Sequence, residues 1–196
     1  MASEETTSVL GNDYEAILDY LAYNHHAVNE ALLAARIVDA FGQTYSASSA
    51  TLSAVGLTGT GWPELIAALH ELADVILAAD QTTLIRIKEA AAFTRHYYYP
   101  ENKDLADFAR LLLENLSDKP ALANAAAKIE TLLLGPEVVT RLACTGSLAD
   151  GRTHGLAIFL PTTAAQLSDY PQYGSLRFSS LTGWDEAVTA IVGAGE

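Results

Sequence analysis

The chain has 196 residues, enough for one domain or two small ones, and half of its residues are apolar, so a sizeable core is possible. Its formal charge of −13 disfavours nucleic acid and anionic membranes as partners, because an acidic field repels phosphate groups. The single cysteine, Cys144, excludes a disulfide framework and a cysteine-rich zinc site. No apolar run reaches the roughly 18 residues of a membrane span, and the acidic start is not typical of a secretory signal.

The first two thirds of the chain show helical periodicity, with apolar residues recurring at three- and four-residue intervals. Capping residues and prolines suggest where these helices begin, and Asn12 or Asp13 is expected to cap the first of them. The expected elements are a helix from Tyr14, a helix over 30–45, an extended segment over 51–55, a helix after Pro63, a helix over 83–95, a helix capped by Asn102, and a helix with Pro120 in its first turn that ends near Gly135.

After Gly135 the period changes from helical to two, which is typical of strands. Val138 to Thr145 alternates, Gly146 to Gly151 has turn composition, and Gly155 to Leu160 is an apolar run, so these segments together predict a β-hairpin. Residues 173–178 are compatible with a short strand, and 182–192 with a last helix capped by Thr182. Because an isolated hairpin is marginal in water, this pattern suggests that further strands belong to the same sheet.

Candidate catalytic groups are few in this sequence. Cys144 and His154 would face each other across the predicted hairpin, but Cys144 shares a strand face with apolar residues, so a small core side chain is the favoured interpretation. His70 and Asp74 stand four residues apart, which is compatible with a metal site but more typical of a surface pair. The Tyr97–Tyr99 run is expected to pack its loop onto the body, with a ligand-stacking surface as the alternative.

Seven stretches of the sequence are informative when they are taken together in order: Ala2–Thr6, Tyr14 to Leu18, Ala35–Phe41, Thr51–Val55, Asp104–Ala109, His154–Pro161 and Tyr173 to Trp184. As a set they resemble the clostripain family of cysteine peptidases, and the resemblance covers about residues 2 to 190.

This resemblance implies a caspase-like fold and cleavage after basic residues, chiefly Arg. It also implies that the catalytic His and Cys lie upstream of this chain, so that no residue here is catalytic, and His154-Gly155 is not the family's catalytic His-Gly pair. In the family, the loop after the Ala-Ser-Glu stretch contributes an acidic residue to the pocket for the basic side chain. Here Asp13 is the candidate for that substrate-binding role, with a helix cap as its alternative role. Gly56 departs from the family, which commonly has Asp there.

The expected architecture is therefore α/β. It is a partial caspase-like sheet-and-helix fold over a single region, 1–196, helical over 12–135 with strands and a final helix over 137–193. The expected function is the C-terminal portion of a clostripain-like peptidase that is inactive alone and is completed by an N-terminal catalytic portion or by self-association, with a basic peptide as substrate. A non-catalytic binding or scaffolding domain is the alternative, and a free-standing enzyme using Cys144 is a third. No cofactor or metal is evident from the residues, although the resemblance allows calcium.

Overall fold

A computed structural model of the chain describes residues 11–195, so the Ala2–Thr6 stretch of the resemblance lies outside the described residues. Between these limits the chain forms nine α-helices: α1 Tyr14–Asn24, α2 Glu30–Thr44, α3 Gly61–Leu77, α4 Gln81–Phe93, α5 Leu105–Asn115, α6 Pro120–Leu134, α7 Ala164–Ser168, α8 Arg177–Thr182 and α9 Trp184–Val192. The first six lie where the periodicity predicted helices, within a few residues at their ends.

Four short strands form two separate antiparallel pairs in the described part of the chain. They are β1 Thr51–Val55, β2 Asn102–Asp104, β3 Val139–Cys144 and β4 Ala157–Phe159. β1 pairs with β3, and β2 pairs with β4. The chain is thus of mixed α/β class, with strands inside the first two thirds as well as after residue 137.

The predicted hairpin is wrong, because β3 and β4 pair with different strands. The segment between them turns away through a short 3-10 helix, Gly146–Leu148, and is then held beside α5 by side-chain bonds from Arg152 and His154. Gly155 has φ +93° and lies against the β1–β3 sheet, where a Cβ would stand 2.9 Å from the Val139 Cγ1. This close approach leads the chain past β3 and toward β2.

Two local predictions near the strands are also wrong. Residues 173–178 are not a strand, since Tyr173–Ser175 is a 3-10 helix and α8 follows it. The cap of α5 is Asp104 rather than Asn102, which instead begins β2. Thr182 stands one residue before the N-cap of α9, which is Gly183, and its hydroxyl accepts a hydrogen bond from the Trp184 N–H at 3.3 Å.

The main core lies among α3, α5, α6 and α9, with Phe108 and Trp184 at its centre. Both side chains are fully buried, and their rings meet edge to face at 6.4 Å. A smaller cluster joins α2 to β1 through Phe41, Tyr45 and Leu52. No helix among residues 11–195 is long and apolar enough to cross a membrane.

Candidate functional site

Asp13, the residue predicted to bind a basic side chain, is the N-cap of α1. Its Oδ1 accepts a hydrogen bond from the Ala16 N–H at 2.9 Å, which confirms the predicted cap. A cap of this kind uses one carboxylate oxygen and leaves the other available to a ligand. The capping role and the pocket role are therefore compatible in one residue.

A cleft of about 460 Å³ opens beside Asp13, between α1 and α2. Three carboxylates line it, those of Asp13, Glu15 and Asp19, together with Tyr20 and Arg36. Among the described residues none of these three carboxylates forms an ion pair. Excess negative charge beside an aromatic ring is the chemistry that a guanidinium or ammonium group requires.

Arg36 shows how a guanidinium sits in this cleft. Its NH2 donates to the Ala16 carbonyl at 3.4 Å, and its Cζ lies 6.0 Å from the centre of the Tyr20 ring. Its Nε is buried and has no hydrogen-bond partner among the described residues. The guanidinium of Arg36 thus contacts a backbone carbonyl and an aromatic ring, and it leaves the three carboxylates without an ion pair among the described residues.

The loop that carries Asp13 is anchored from α2. The hydroxyl of Tyr45 donates to the Gly11 carbonyl at 2.6 Å, and its ring packs against Phe41 with centroids 4.5 Å apart. Tyr45 is almost fully buried, so this bond ties the loop to the smaller core cluster. The role of Tyr45 could not be predicted from the sequence, because only the folded chain brings positions 11 and 45 together.

Cys144 and His154 are not brought together by a hairpin, because their strands have different partners. Cys144 is half-buried rather than buried, and its Sγ donates to the Leu148 carbonyl at 2.8 Å. His154 faces away to α5 and places its Nδ1 2.9 Å from Asp104 Oδ1. The arrangement on which a Cys144 enzyme depended is therefore absent from the described residues.

Asp104 is fully buried and organises the polar contacts around His154. Its carboxylate accepts hydrogen bonds from the Tyr97 hydroxyl at 2.9 Å, from the Asp107 N–H at 2.8 Å and from the His154 N–H at 2.7 Å. The same carboxylate hydrogen-bonds the imidazole and so raises the pKa of His154, although burial acts in the opposite direction. Tyr97 is buried, as the packing interpretation of the tyrosine run predicted, whereas Tyr98 and Tyr99 are exposed.

A second buried carboxylate, Asp107, lies one helical turn further along α5. It accepts hydrogen bonds from Arg152 at 2.7 Å, from the Arg95 N–H at 2.7 Å and from Arg110 at 2.7 Å. Burial by itself raises the pKa of Asp107, but these hydrogen bonds and the Arg152 charge outweigh it and hold the pKa below its usual value. This network fastens the segment before β4 to α5 and does not open into the cleft at Asp13.

The other sequence candidates have ordinary surroundings. His70 Nε2 lies 3.7 Å from Asp74 Oδ2 on the exposed face of α3, so the predicted surface pair is confirmed. No group of three or more metal-ligating side chains occurs within residues 11–195.

Comparison of the chain with protein-family models, with curated proteins and with solved structures gives no match.

Proposed function

We propose that this chain is the C-terminal, substrate-binding portion of a clostripain-like cysteine endopeptidase that cleaves after basic residues. The observation that carries the proposal is the acidic cleft at Asp13. Its loop follows the Ala-Ser-Glu stretch of the resemblance, and its three carboxylates form no ion pair among the described residues. A substrate arginine would gain charge-assisted hydrogen bonds there, which are about twice as strong as neutral ones.

In this proposal the nucleophile and its base come from an upstream catalytic portion. The chain has one cysteine, and the half-buried Cys144 donates to a backbone carbonyl, while His154 is engaged by a buried aspartate. A nucleophilic thiol needs a base within hydrogen-bond reach and a nearby positive charge or helix N-terminus. The contacts of Cys144 are better explained by a structural role.

A non-catalytic binding domain is the second candidate, favoured by the surface of α1. Tyr14, Leu18 and Tyr23 are exposed there, and Tyr23 is 86% accessible. Exposed apolar side chains grouped on one short helix are typical of a surface that contacts another protein. The same helix forms one wall of the cleft at Asp13, so the two candidates are separated by activity rather than by location.

The isolated chain is expected to show no hydrolysis of a fluorogenic peptide that ends in Arg, because within the described residues Cys144 donates to the Leu148 carbonyl and His154 is hydrogen-bonded to Asp104. The assay is the release of the fluorophore, compared with that of a Cys144→Ala variant. Turnover that disappears in this variant would overturn the proposal and favour the free-standing enzyme. Independently of this assay, the intact mass of the native protein shows whether a catalytic portion is attached to the chain or associated with it.

In the assembled peptidase, Asp13→Asn is expected to lower kcat/KM for Arg substrates by about tenfold or more, because the charged partner of the guanidinium is removed. Asn caps a helix about as well as Asp, so the melting temperature should change little. The matched control is Asp80→Asn, which changes the N-cap aspartate of α4 far from the cleft. Unchanged cleavage after Arg in the Asp13 variant would leave this residue with the capping role alone.

A further inference from the structure

Among residues 11–195, strand β4 is paired with another strand along one edge only. The Leu105 N–H donates to the Leu156 carbonyl at 3.0 Å, and the Leu160 N–H donates to the Glu101 carbonyl at 2.7 Å, which fixes the residues that face β2. Backbone groups alternate along an antiparallel ladder, so those of Ala157 and Phe159 point to the opposite edge.

One of these four outward groups is already used, since Trp184 Nε1 donates to the Phe159 carbonyl at 2.8 Å. The N–H and C=O of Ala157 and the N–H of Phe159 have no hydrogen-bond partner among residues 11–195. Folded proteins usually protect such an edge with a charged residue, a proline or a bulge. The short length of β4 limits this edge, but its sequence, Ala-Ile-Phe, has no charged residue, proline or bulge.

An apolar cavity of about 210 Å³ lies beside this edge. Trp62 and Leu65 of α3 form one wall, Leu156 and Phe159 form the strand side, and Tyr173 and Phe178 close it. The lining is apolar apart from the tyrosine hydroxyl and the indole N–H, so it suits a bulky hydrocarbon side chain.

An acidic cleft of about 490 Å³ adjoins the cavity, and Tyr173 lines both. Asp185 and Glu186, in the first turn of α9, line the cleft together with Tyr170. Neither carboxylate has an ion pair among the described residues. Gly174 lets Asp185 come close, since a Cβ there would stand 2.9 Å from Asp185 Oδ2.

The two features together select one kind of ligand. Carboxylates beside tyrosine rings attract an ammonium or guanidinium group, and the net charge of −13 acts in the same direction. Asp185 and Tyr173 line the same cleft, and burial together with the charge of Asp185 raises the pKa of Tyr173. Side chains two residues apart lie on the same face of an extended chain.

We propose that the free edge of β4 binds an extended segment of a partner polypeptide by strand addition. One bulky apolar side chain of the segment enters the 210 Å³ cavity, and a Lys or Arg two residues along enters the acidic cleft. Backbone hydrogen bonds to Ala157 and Phe159 supply affinity, and the two cavities supply specificity. The proposal goes beyond the peptidase function and does not depend on it.

The test uses the full chain and a fluorescein-labelled peptide of sequence Thr-Val-Thr-Phe-Thr-Lys-Thr-Val-Thr. Fluorescence anisotropy measures the binding of the peptide. Saturable binding is expected. N-methylation of alternate amides separates the two backbone faces of the peptide. One methylated set should bind about tenfold more weakly, because it loses the hydrogen bonds to β4, and the other set should bind nearly as well as the parent. Absence of saturable binding, or equal losses for both sets, would overturn the proposal.

Protein variants give an independent readout. Ala157→Pro removes the outward N–H but no bond to β2, and it should weaken binding while circular dichroism stays unchanged. The double variant Asp185→Asn, Glu186→Gln should bind the Lys peptide about tenfold more weakly, and its affinity for an analogue with norleucine in place of Lys should be unchanged. The matched control is the double variant Glu64→Gln, Glu71→Gln on α3, which should bind both peptides as the natural protein does. An equal loss of affinity in this control would count against the acidic cleft. If the Ala157→Pro variant does not fold, the two sets of N-methylated peptides, measured with the natural protein, still test the proposal.

Discussion

An Asp107→Asn variant is expected to lose about 3 kcal/mol of unfolding free energy, because it removes a fully buried charge that the guanidinium groups of Arg110 and Arg152 share. Breaking a buried ion pair typically costs about 3–5 kcal/mol, and the lower end applies here since Arg110 and Arg152 are partly exposed. The measurement is urea unfolding at neutral pH. The total free energy of unfolding of a domain is roughly 5–15 kcal/mol, so this loss is a large fraction of the stability.

The control for this variant is Asp118→Asn, which removes an exposed carboxylate that also pairs with an arginine, Arg86. Exposed pairs contribute about 0–1 kcal/mol, so this change should be small. The Asp107 variant should also be cleaved faster by a protease between residues 146 and 156, because the hydrogen bonds from Arg152 to Asp107 help to hold this segment to α5. Equal losses in the two variants would show that burial of Asp107 has no energetic role.

A Lys103→Met variant is expected to gain about 2 kcal/mol of unfolding free energy at neutral pH, because replacing a buried charge by an apolar side chain of similar volume is often stabilising. Lys103 is almost fully buried in β2, and its Nζ donates to the Ala91 carbonyl at 2.5 Å. Burial lowers the pKa of Lys103 to about 8, because the charged form is removed from water. Methionine fills the same space without a charge, and the Ala91 carbonyl keeps the Thr94 N–H as a donor at 3.4 Å.

The lowered pKa of Lys103 also predicts how the stability of the protein changes with pH. The pKa of Lys103 is 10.5 in the unfolded chain and about 8 in the folded protein, so between these values the unfolded state binds more protons. Stability contributed by this site therefore rises with pH from about 8 to 10.5, and below pH 8 the full cost of the buried charge is present. Tyrosines also titrate in this pH range. Subtracting the curve of stability against pH of the Lys103→Met variant from that of the natural protein isolates the contribution of Lys103.

The matched control is Lys128→Met, since Lys128 is exposed and pairs only with the exposed Glu71 among the described residues. It should change stability by no more than about 1 kcal/mol and should retain the rise above pH 8. A flat difference curve for the Lys103 variant would mean that its amine keeps an ordinary pKa in the folded state.

The helices could be predicted from the sequence because their signals are local. The apolar stripe after Asp13, the cap at that residue, and the prolines at the starts of α3 and α6 are each read within one or two turns, and the structure follows them. The cap of α5 was placed wrongly at Asn102, because both Asn102 and Asp104 are good caps. Asp104 prevails since its carboxylate also binds Tyr97 and His154.

Strand pairing was not predictable in the same way. Alternation between 138 and 145 correctly indicated extended chain, but alternation does not identify the partner strand, and adjacency in sequence favoured a hairpin. The partners are instead β1 and β2, far away along the chain, because α2 packs on one face of the β1–β3 pair and the buried network on α5 holds the segment before β4.

The candidate site divides along the same line. The sequence by itself narrowed the cap of α1 to Asn12 or Asp13, since a cap depends only on its own turn, and it determined the α/β class and the acidic charge. The structure selects Asp13. The tertiary structure decided that Asp19 and Arg36 share a cleft with Asp13 and that Tyr45 anchors its loop. It also decided that Cys144 bonds to the Leu148 carbonyl and His154 to Asp104, because these contacts depend on which strands pair rather than on how the residues are spaced.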